Sequence, residues 1–162
     1  MRAMVQAGWL TAPGLRMPAA LGRGGVRPDK QEGDGATPAG LLPLRRVLYR
    51  AGRVRRPAAA VPVMPIAPSD GWCDDPADSA YNQFVTLPYP ARHEALWRAD
   101  AVYDIIGVLG WNDSPVVRKA GSAIFLHVAT PGRAPTEGCI ALPVMELLTL
   151  LEAGLTEILV EP

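Results

Sequence analysis

Proline and glycine occur so often in this chain that it has little room for long helices. The 162 residues include 17 prolines and 16 glycines, and both residue types end helices and favour turns. Short apolar runs lie between them, and the clearest is residues 102–109, which is continuous and rich in β-branched side chains. The sequence therefore predicts a mainly β fold, a mixed β-sandwich or barrel-like sheet with one principal helix.

The spacing of apolar residues predicts the individual elements. Residues 143–153 would form the one amphipathic helix, with Val144, Leu147, Leu148 and Leu151 on one face. The other expected elements are a hairpin from residues 5–11 and 16–21, strands at 41–49, 102–109, 121–129 and 156–160, an edge strand at 61–66, a long irregular insertion at 67–90, and a short helix or helical turn at 93–100. The length suits a single domain over residues 1–162.

The charge balance and the cysteine count exclude several classes of protein. Acidic and basic residues number 16 each, so no global field directs the chain to nucleic acid. No stretch approaches the roughly 20 apolar residues of a transmembrane helix. Two cysteines are too few for a disulfide framework, although Cys73 and Cys139 would still allow a single bridge. We expect a monomer.

Residues 121–142 bring a thiol and an imidazole into the same stretch. An apolar run ends at His127, a loop follows, and the chain returns through Gly138 to Cys139 within about one hairpin. Cysteine catalysis needs a thiol within hydrogen-bond reach of an imidazole, and a glycine beside the nucleophile lets substrate approach backbone N–H groups. We therefore expect Cys139 as nucleophile, His127 as base, and the N–H groups of Gly138 and Cys139 as oxyanion hole. A buried apolar thiol and a satisfied core imidazole also fit this pattern.

The same residues resemble the catalytic motif of the L,D-transpeptidase (YkuD-type) family, a His followed by a Ser/Thr-His-Gly-Cys segment. His127 falls on the first His, and Thr136, Gly138 and Cys139 fall on the Ser/Thr, Gly and Cys. Residues 37–40, Thr-Pro-Ala-Gly, are similar to the TPxG element near the start of that family's catalytic domain. The resemblance implies a β-rich catalytic fold in which His127 is the general base and Cys139 the nucleophile.

Three features depart from the family pattern. Glu137 stands where the family commonly has a second histidine, Ala141 stands where many members carry an arginine that holds a substrate carboxylate, and the interval between the histidine and the cysteine is shorter than usual. The nucleophile and base survive these changes. We expect Arg133 on the intervening loop, or Arg23 and Arg27, to take over carboxylate binding.

The resemblance also implies the reaction and its substrate. Cys139 would attack a peptidoglycan stem peptide at the bond before its terminal D-alanine and form an acyl-enzyme. An amine from a second stem would then give a cross-link, and water would give L,D-carboxypeptidase activity. Thr136, Glu137, Arg133 and Trp72, the last on the insertion at 67–90, are the candidate substrate contacts.

The reaction requires no cofactor and no metal. A zinc site formed by Cys73, His93, His127 and Cys139 is a further possibility, but these residues lack the paired spacing of zinc ligands. A catalytically inactive domain of the same fold, which binds wall peptide or a protein partner, is the alternative that the departures from the family pattern favour.

The site of action follows only from the family. A peptidoglycan substrate implies the periplasm or cell envelope, but Pro13, Arg16 and Pro18 interrupt any apolar run near the N-terminus. Residues 1–20 therefore make a poor signal peptide, and the sequence leaves localisation and export route open.

Overall fold

Fourteen strands and one helix make up the regular structure of residues 1–162, all of which a computed structural model describes. The elements are β1 (Arg2–Gln6), β2 (Trp9–Ala12), β3 (Leu15–Pro18), β4 (Val26–Arg27), β5 (Thr37–Pro38), β6 (Gly40–Tyr49), β7 (Val63–Pro65), β8 (Asp70–Cys73), β9 (Phe84–Thr86), β10 (His93–Ala95), β11 (Ile105–Leu109), β12 (Phe125–Val128), β13 (Ile140–Leu142), α1 (Val144–Glu152) and β14 (Glu157–Val160). The predicted mainly β fold with one principal helix is confirmed.

Nine strands form one sheet that nearly closes on itself. Eight of them follow the order β13-β12-β11-β6-β14-β1-β2-β3, and β7 pairs with β6 beside this path. The two ends of the order meet just after β3, where Ala20 and Ala141 exchange two backbone hydrogen bonds of 2.9 Å. Closure satisfies backbone groups that an open edge would expose. The sheet is therefore barrel-like, as the sequence predicted.

A cluster of 21 buried apolar residues is the larger core, and each of the eight strands of that order contributes to it. Helix α1 adds Leu147, Leu150 and Leu151. The four residues of the predicted apolar face all contact this core, Val144 and Leu148 from partly buried positions, and the prediction missed Leu150. No helix in the structure is long and apolar enough to cross a membrane.

A second, three-stranded sheet with the order β10-β8-β9 corrects two predictions. The irregular insertion at 67–90 contains β8 and β9, and the helix expected at 93–100 is replaced by β10, in which His93 pairs with Cys73 and Glu94 with Trp72. These partners are about twenty residues apart in sequence, so local helix propensity loses to non-local pairing. A smaller core of ten buried residues joins this sheet to β6, β11 and β12.

Several strand boundaries also differ from the prediction. The run at 102–109 begins its strand only at Ile105, because a turn closes with the Asp104 N–H donating to Ala101 O at 3.1 Å. Residues 5–11 contain a turn at Ala7-Gly8, so the first twenty residues form two hairpins instead of one. β11 pairs with β12 in antiparallel orientation, and the predicted edge position of the strand at 61–66, β7 in the structure, is confirmed.

Neighbouring leucines on β6 provide a test of the core. Leu42 is fully buried, whereas Leu41 is 44% exposed. Leu42→Ala should lower the free energy of unfolding by about 2–5 kcal/mol, because it leaves a cavity, and Leu41→Ala by less than about 1 kcal/mol. Urea denaturation followed by tryptophan fluorescence measures both. Equal losses in the two variants would contradict the assigned faces of β6.

Candidate active site

Two parallel strands position the predicted nucleophile and base. The loop after β12 does not form a hairpin but carries the chain across, so that β13 runs parallel to β12 with Leu126 opposite Ile140 and His127 opposite Ala141. Cys139, one residue before β13, therefore lies beside Phe125, whose N–H points at Cys139 Sγ from 3.4 Å. Because side chains alternate along a strand, Cys139 and Ala141 lie on the same face as Phe125 and His127.

Cys139 and His127 line one cavity of about 400 Å³. Tyr103, Ala123 and Ala141 also contribute to its wall. Cys139 is 8% exposed and His127 7%, so each reaches solvent only through this cavity. The structure brings together the two residues that the sequence singled out, although no hydrogen bond joins the sulfur to the imidazole.

The thiol of Cys139 is neutral in this arrangement. Sγ donates to the carbonyl oxygen of Ala123 at 3.3 Å. Burial, and after it the negative charge of Glu94, raises the pKa of the Cys139 thiol to about 12. A thiol with this pKa needs a base at the moment of reaction, since almost none of it is ionised at neutral pH.

His127 is placed to act as that base. Its Nδ1 lies 2.9 Å from the backbone oxygen of Val128, a contact that requires the proton on Nδ1 and leaves Nε2 as the basic nitrogen. Burial lowers the pKa of His127 below 6.5, against the smaller opposite effect of this hydrogen bond. The resting site therefore pairs a neutral thiol with a neutral imidazole.

Thr136 and Gly138 shape the turn that presents the nucleophile. The Thr136 hydroxyl accepts the Gly138 N–H at 3.1 Å and donates to the Cys139 carbonyl at 2.7 Å. Gly138 has φ +138°, and a Cβ there would lie 2.8 Å from Ala36 O, so both conformation and space require glycine. Thr37, in the Thr-Pro-Ala-Gly element, donates its hydroxyl toward Cys139 O at 3.5 Å.

This turn corrects the expected oxyanion hole. The Gly138 N–H is already bonded to Thr136 and is not free for an oxyanion. The Cys139 N–H donates to no acceptor in the protein and remains available. Thr136 lines the cavity, but its hydroxyl is used to hold the turn.

Glu94, Arg98 and Tyr103 line the cavity but were not predicted for the site. The Tyr103 hydroxyl donates to Glu94 Oε1 at 2.5 Å, and its ring meets that of His127 edge to face at 5.6 Å. Arg98 Cζ lies 5.2 Å from the Tyr103 ring centroid. Burial raises the pKa of Glu94. The helix predicted at 93–100 hid Glu94 and Arg98, for which the period-two placing of Glu94, Leu96 and Arg98 was the available signal, and Tyr103 fell in the strand predicted at 102–109.

The expected carboxylate-binding arginines lie elsewhere. Arg133 lines a different cavity, near Trp9. Arg23 pairs with Glu137 at 2.9 Å, and Arg27 pairs with Asp29 at 3.1 Å. Glu137 is at the cavity mouth, and its side chain is mostly exposed to solvent.

Trp72, and Cys73 and His93 of the proposed zinc site, are also separate from the cavity. The Trp72 ring is buried edge to face against Phe125 at 5.2 Å, and it does not line the wall around Cys139. His93 lies on β10 with Nδ1 2.8 Å from Ala91 O, and Cys73 and Cys139 are both free thiols. No group of three or more His, Cys, Asp or Glu side chains is placed to hold a metal ion.

A comparison with known families identifies the class of protein. The family model of YkuD, the L,D-transpeptidase catalytic domain, matches residues 5–160. The chain therefore belongs to the L,D-transpeptidase catalytic domain family. No curated protein and no solved structure shows significant similarity to the chain.

The raised pKa of Cys139 predicts slow alkylation. In a Cys73→Ser background, iodoacetamide should modify Cys139 very slowly at pH 7. The rate should rise about tenfold per pH unit up to at least pH 9, because only the thiolate reacts and the pKa is about 12. Mass spectrometry of the modified peptide measures the rate, with the urea-unfolded chain as reference. A rate that is already at its plateau near pH 7 would instead indicate a preformed thiolate–imidazolium pair.

Proposed function

We propose that this chain is a cysteine acyltransferase that acts on peptidoglycan stem peptides through an acyl-enzyme on Cys139, with His127 as base. The observation that carries the proposal is that the thiol and the imidazole line the same cavity from one face of two parallel strands. Membership of the L,D-transpeptidase catalytic domain family supplies the reaction class.

The neutral resting pair defines the first chemical step. As Cys139 Sγ attacks the peptide carbonyl before the terminal D-alanine, His127 Nε2 takes the thiol proton and becomes imidazolium. The carbonyl oxygen gains negative charge, and the free Cys139 N–H donates to it. Charge thus forms only when substrate is in place.

The second step releases the leaving group and regenerates the thiol. The tetrahedral intermediate collapses, the C–N bond breaks, and the imidazolium of His127 gives its proton to the departing D-alanine amine. A thioester remains on Cys139. An amine of a second stem then yields a cross-link, or water yields a trimmed stem. In either case His127 takes a proton from the attacking group and returns it to Cys139 Sγ as the C–S bond of the thioester breaks.

Arg98 is the best placed residue to hold the substrate carboxylate in place of the arginine missing at position 141. It is the one arginine that lines the cavity. Asp100 accepts from its Nε at 2.9 Å and its Nη2 at 2.6 Å, which fixes the guanidinium and leaves Nη1 without a partner in the protein. A fixed guanidinium with a free N–H suits a carboxylate.

The rest of the cavity favours a substrate that carries an amine. Four carboxylates line it against the single arginine: Asp74 and Glu137 pair with Arg92 and Arg23 outside the wall, whereas Glu32 and Glu94 form no ion pair. A cavity lined mainly by one sign of charge concentrates ligands of the opposite sign. An ammonium group on the donor or acceptor stem therefore fits this wall.

Acylation by a carbapenem tests the nucleophile and the base. Intact-protein mass spectrometry should show one added carbapenem on Cys139 in the unaltered chain and in Cys73→Ser, and none in Cys139→Ser. His127→Ala should slow the reaction by at least about 100-fold, the lower range for a general base. Binding of a stem tetrapeptide with no adduct and no product would instead assign the chain as an inactive peptide-binding domain.

Matched arginine variants test the carboxylate contact. With a stem tetrapeptide as substrate, Arg98→Gln should raise KM about tenfold or more with a smaller effect on kcat, since a charge-assisted hydrogen bond contributes about 1.5–3 kcal/mol. Arg98→Lys should recover part of the loss, and Arg133→Gln should change neither constant.

A substrate with an amidated C-terminus separates a direct contact from a structural role. The unaltered enzyme should prefer the free carboxylate over the amide, and Arg98→Gln should lose this preference. A preference that persists in Arg98→Gln, or an equal effect in Arg133→Gln, would place the carboxylate elsewhere.

A further inference from the structure

A second cavity, of about 320 Å³, lies beyond the proposed catalytic site on the same face of the main sheet. Phe125, two positions before His127 on β12, and its partner Val108 on β11 both line this cavity. Because side chains alternate along a strand, they point to the same side of the sheet as His127. Trp72, Phe84, Trp111 and Phe125 contribute aromatic rings to its wall, and Asn82, Gln83 and Asp113 contribute polar side chains. Neither Cys139 nor His127 lines it.

Arg46 is the only basic residue of this wall, and its side chain makes no hydrogen bond and no ion pair. Its Nε is buried without any partner. A buried N–H donor without an acceptor is unfavourable, so the partly buried guanidinium of Arg46 carries one unsatisfied N–H next to the aromatic rings. The guanidinium carbon lies 5.9 Å from the Phe84 ring centroid, too far for the ring to replace a hydrogen-bond acceptor.

The acidic residues near Arg46 have other partners. Asp113, in the same wall, accepts two hydrogen bonds from Arg45 at 2.9 and 3.2 Å. Asp70 lies in the wall of a third cavity, of about 410 Å³, that Arg46 and Phe84 also line, and it accepts the Ala67 N–H at 2.8 Å. Arg46 is thus left facing two cavities with no counter-ion.

We propose that Arg46 anchors a binding site for a carboxylate that carries an apolar or aromatic group. The planar guanidinium matches a carboxylate in shape and charge, and the carboxylate supplies the acceptor that Nε lacks. The attached apolar group packs between the rings of Trp72, Phe84 and Trp111. One guanidinium, in a wall whose only carboxylate, Asp113, is already paired with Arg45, suits a single negative charge better than a phosphate dianion.

Indole resonances report occupancy of this site directly. Trp72 and Trp111 line it, whereas Trp9 and Trp97 do not, so the four indole N–H signals of ¹⁵N-labelled protein contain two reporters and two internal controls. Titration with 3-phenylpropionate should shift the signals of Trp72 and Trp111 only. Its neutral analogue 3-phenylpropionamide should bind about tenfold more weakly or worse, because it lacks the charge.

Variants assign the effect to Arg46. Arg46→Gln should weaken binding of the acid about tenfold and abolish the preference over the amide, while Arg133→Gln should leave both unchanged. Cys139→Ser should bind as the unaltered chain does, which separates this site from the proposed catalytic one. N-acetyl-phenylalanine in place of 3-phenylpropionate asks whether a peptide C-terminus is held more tightly than a free small acid.

Three results would overturn the proposal. They are equal shifts with the acid and the amide, unchanged affinity in Arg46→Gln, and shifts confined to Trp9 or Trp97. The indole spectrum of each free variant shows whether it is folded, and Arg46→Lys, which keeps the charge but loses the planar fork, provides a second variant should Arg46→Gln fail to fold.

Discussion

Parallel pairing of β12 with β13 is the interaction on which the candidate site depends. It places Cys139 beside Phe125 of the neighbouring strand. Phe125 is two positions before His127, so the side chains of Cys139, Phe125 and His127 lie on one face. A one-residue slip in this register would send Cys139 to the opposite face. The pairing is held at its start by the Thr136 turn and at its far edge by the backbone bonds between Ala20 and Ala141. The backbone contacts of β13 that close the barrel therefore also align Cys139 with His127.

Burial sets the chemical state of the site. The low-dielectric wall raises the pKa of Cys139 and lowers that of His127, so both are neutral at rest. A neutral thiol resists oxidation and unwanted alkylation, and the enzyme proposed here ionises it only against a bound carbonyl. The carboxylate of Glu94, held by Tyr103 at 2.5 Å, adds to the raised pKa of the thiol after the larger effect of burial.

Local sequence patterns predicted the elements that carry a local signal. The hairpin around Pro13-Gly14, the strand from residue 41 and the helix that Pro143 precedes are all present, because turn residues and apolar periodicity act over a few positions. The predictions for residues 67–90 and 93–100 were wrong because these strands depend on pairing between more distant residues. β8 pairs with β9 across 12–16 positions and with β10 across 20–24 positions, which is beyond the few residues over which turn and periodicity signals act.

The same difference between local and non-local information applies to the candidate site. Sequence alone singled out the candidate residues Cys139 and His127, because a thiol beside a glycine and a histidine at a strand end can be recognised from residue type and position. Only the tertiary structure decided which groups are free to act: it occupied the Gly138 N–H, placed Arg133 near another cavity, and brought Arg98 to the wall around Cys139. The physical reason is that hydrogen-bond availability and burial depend on neighbours in space, and those neighbours are distant in the chain.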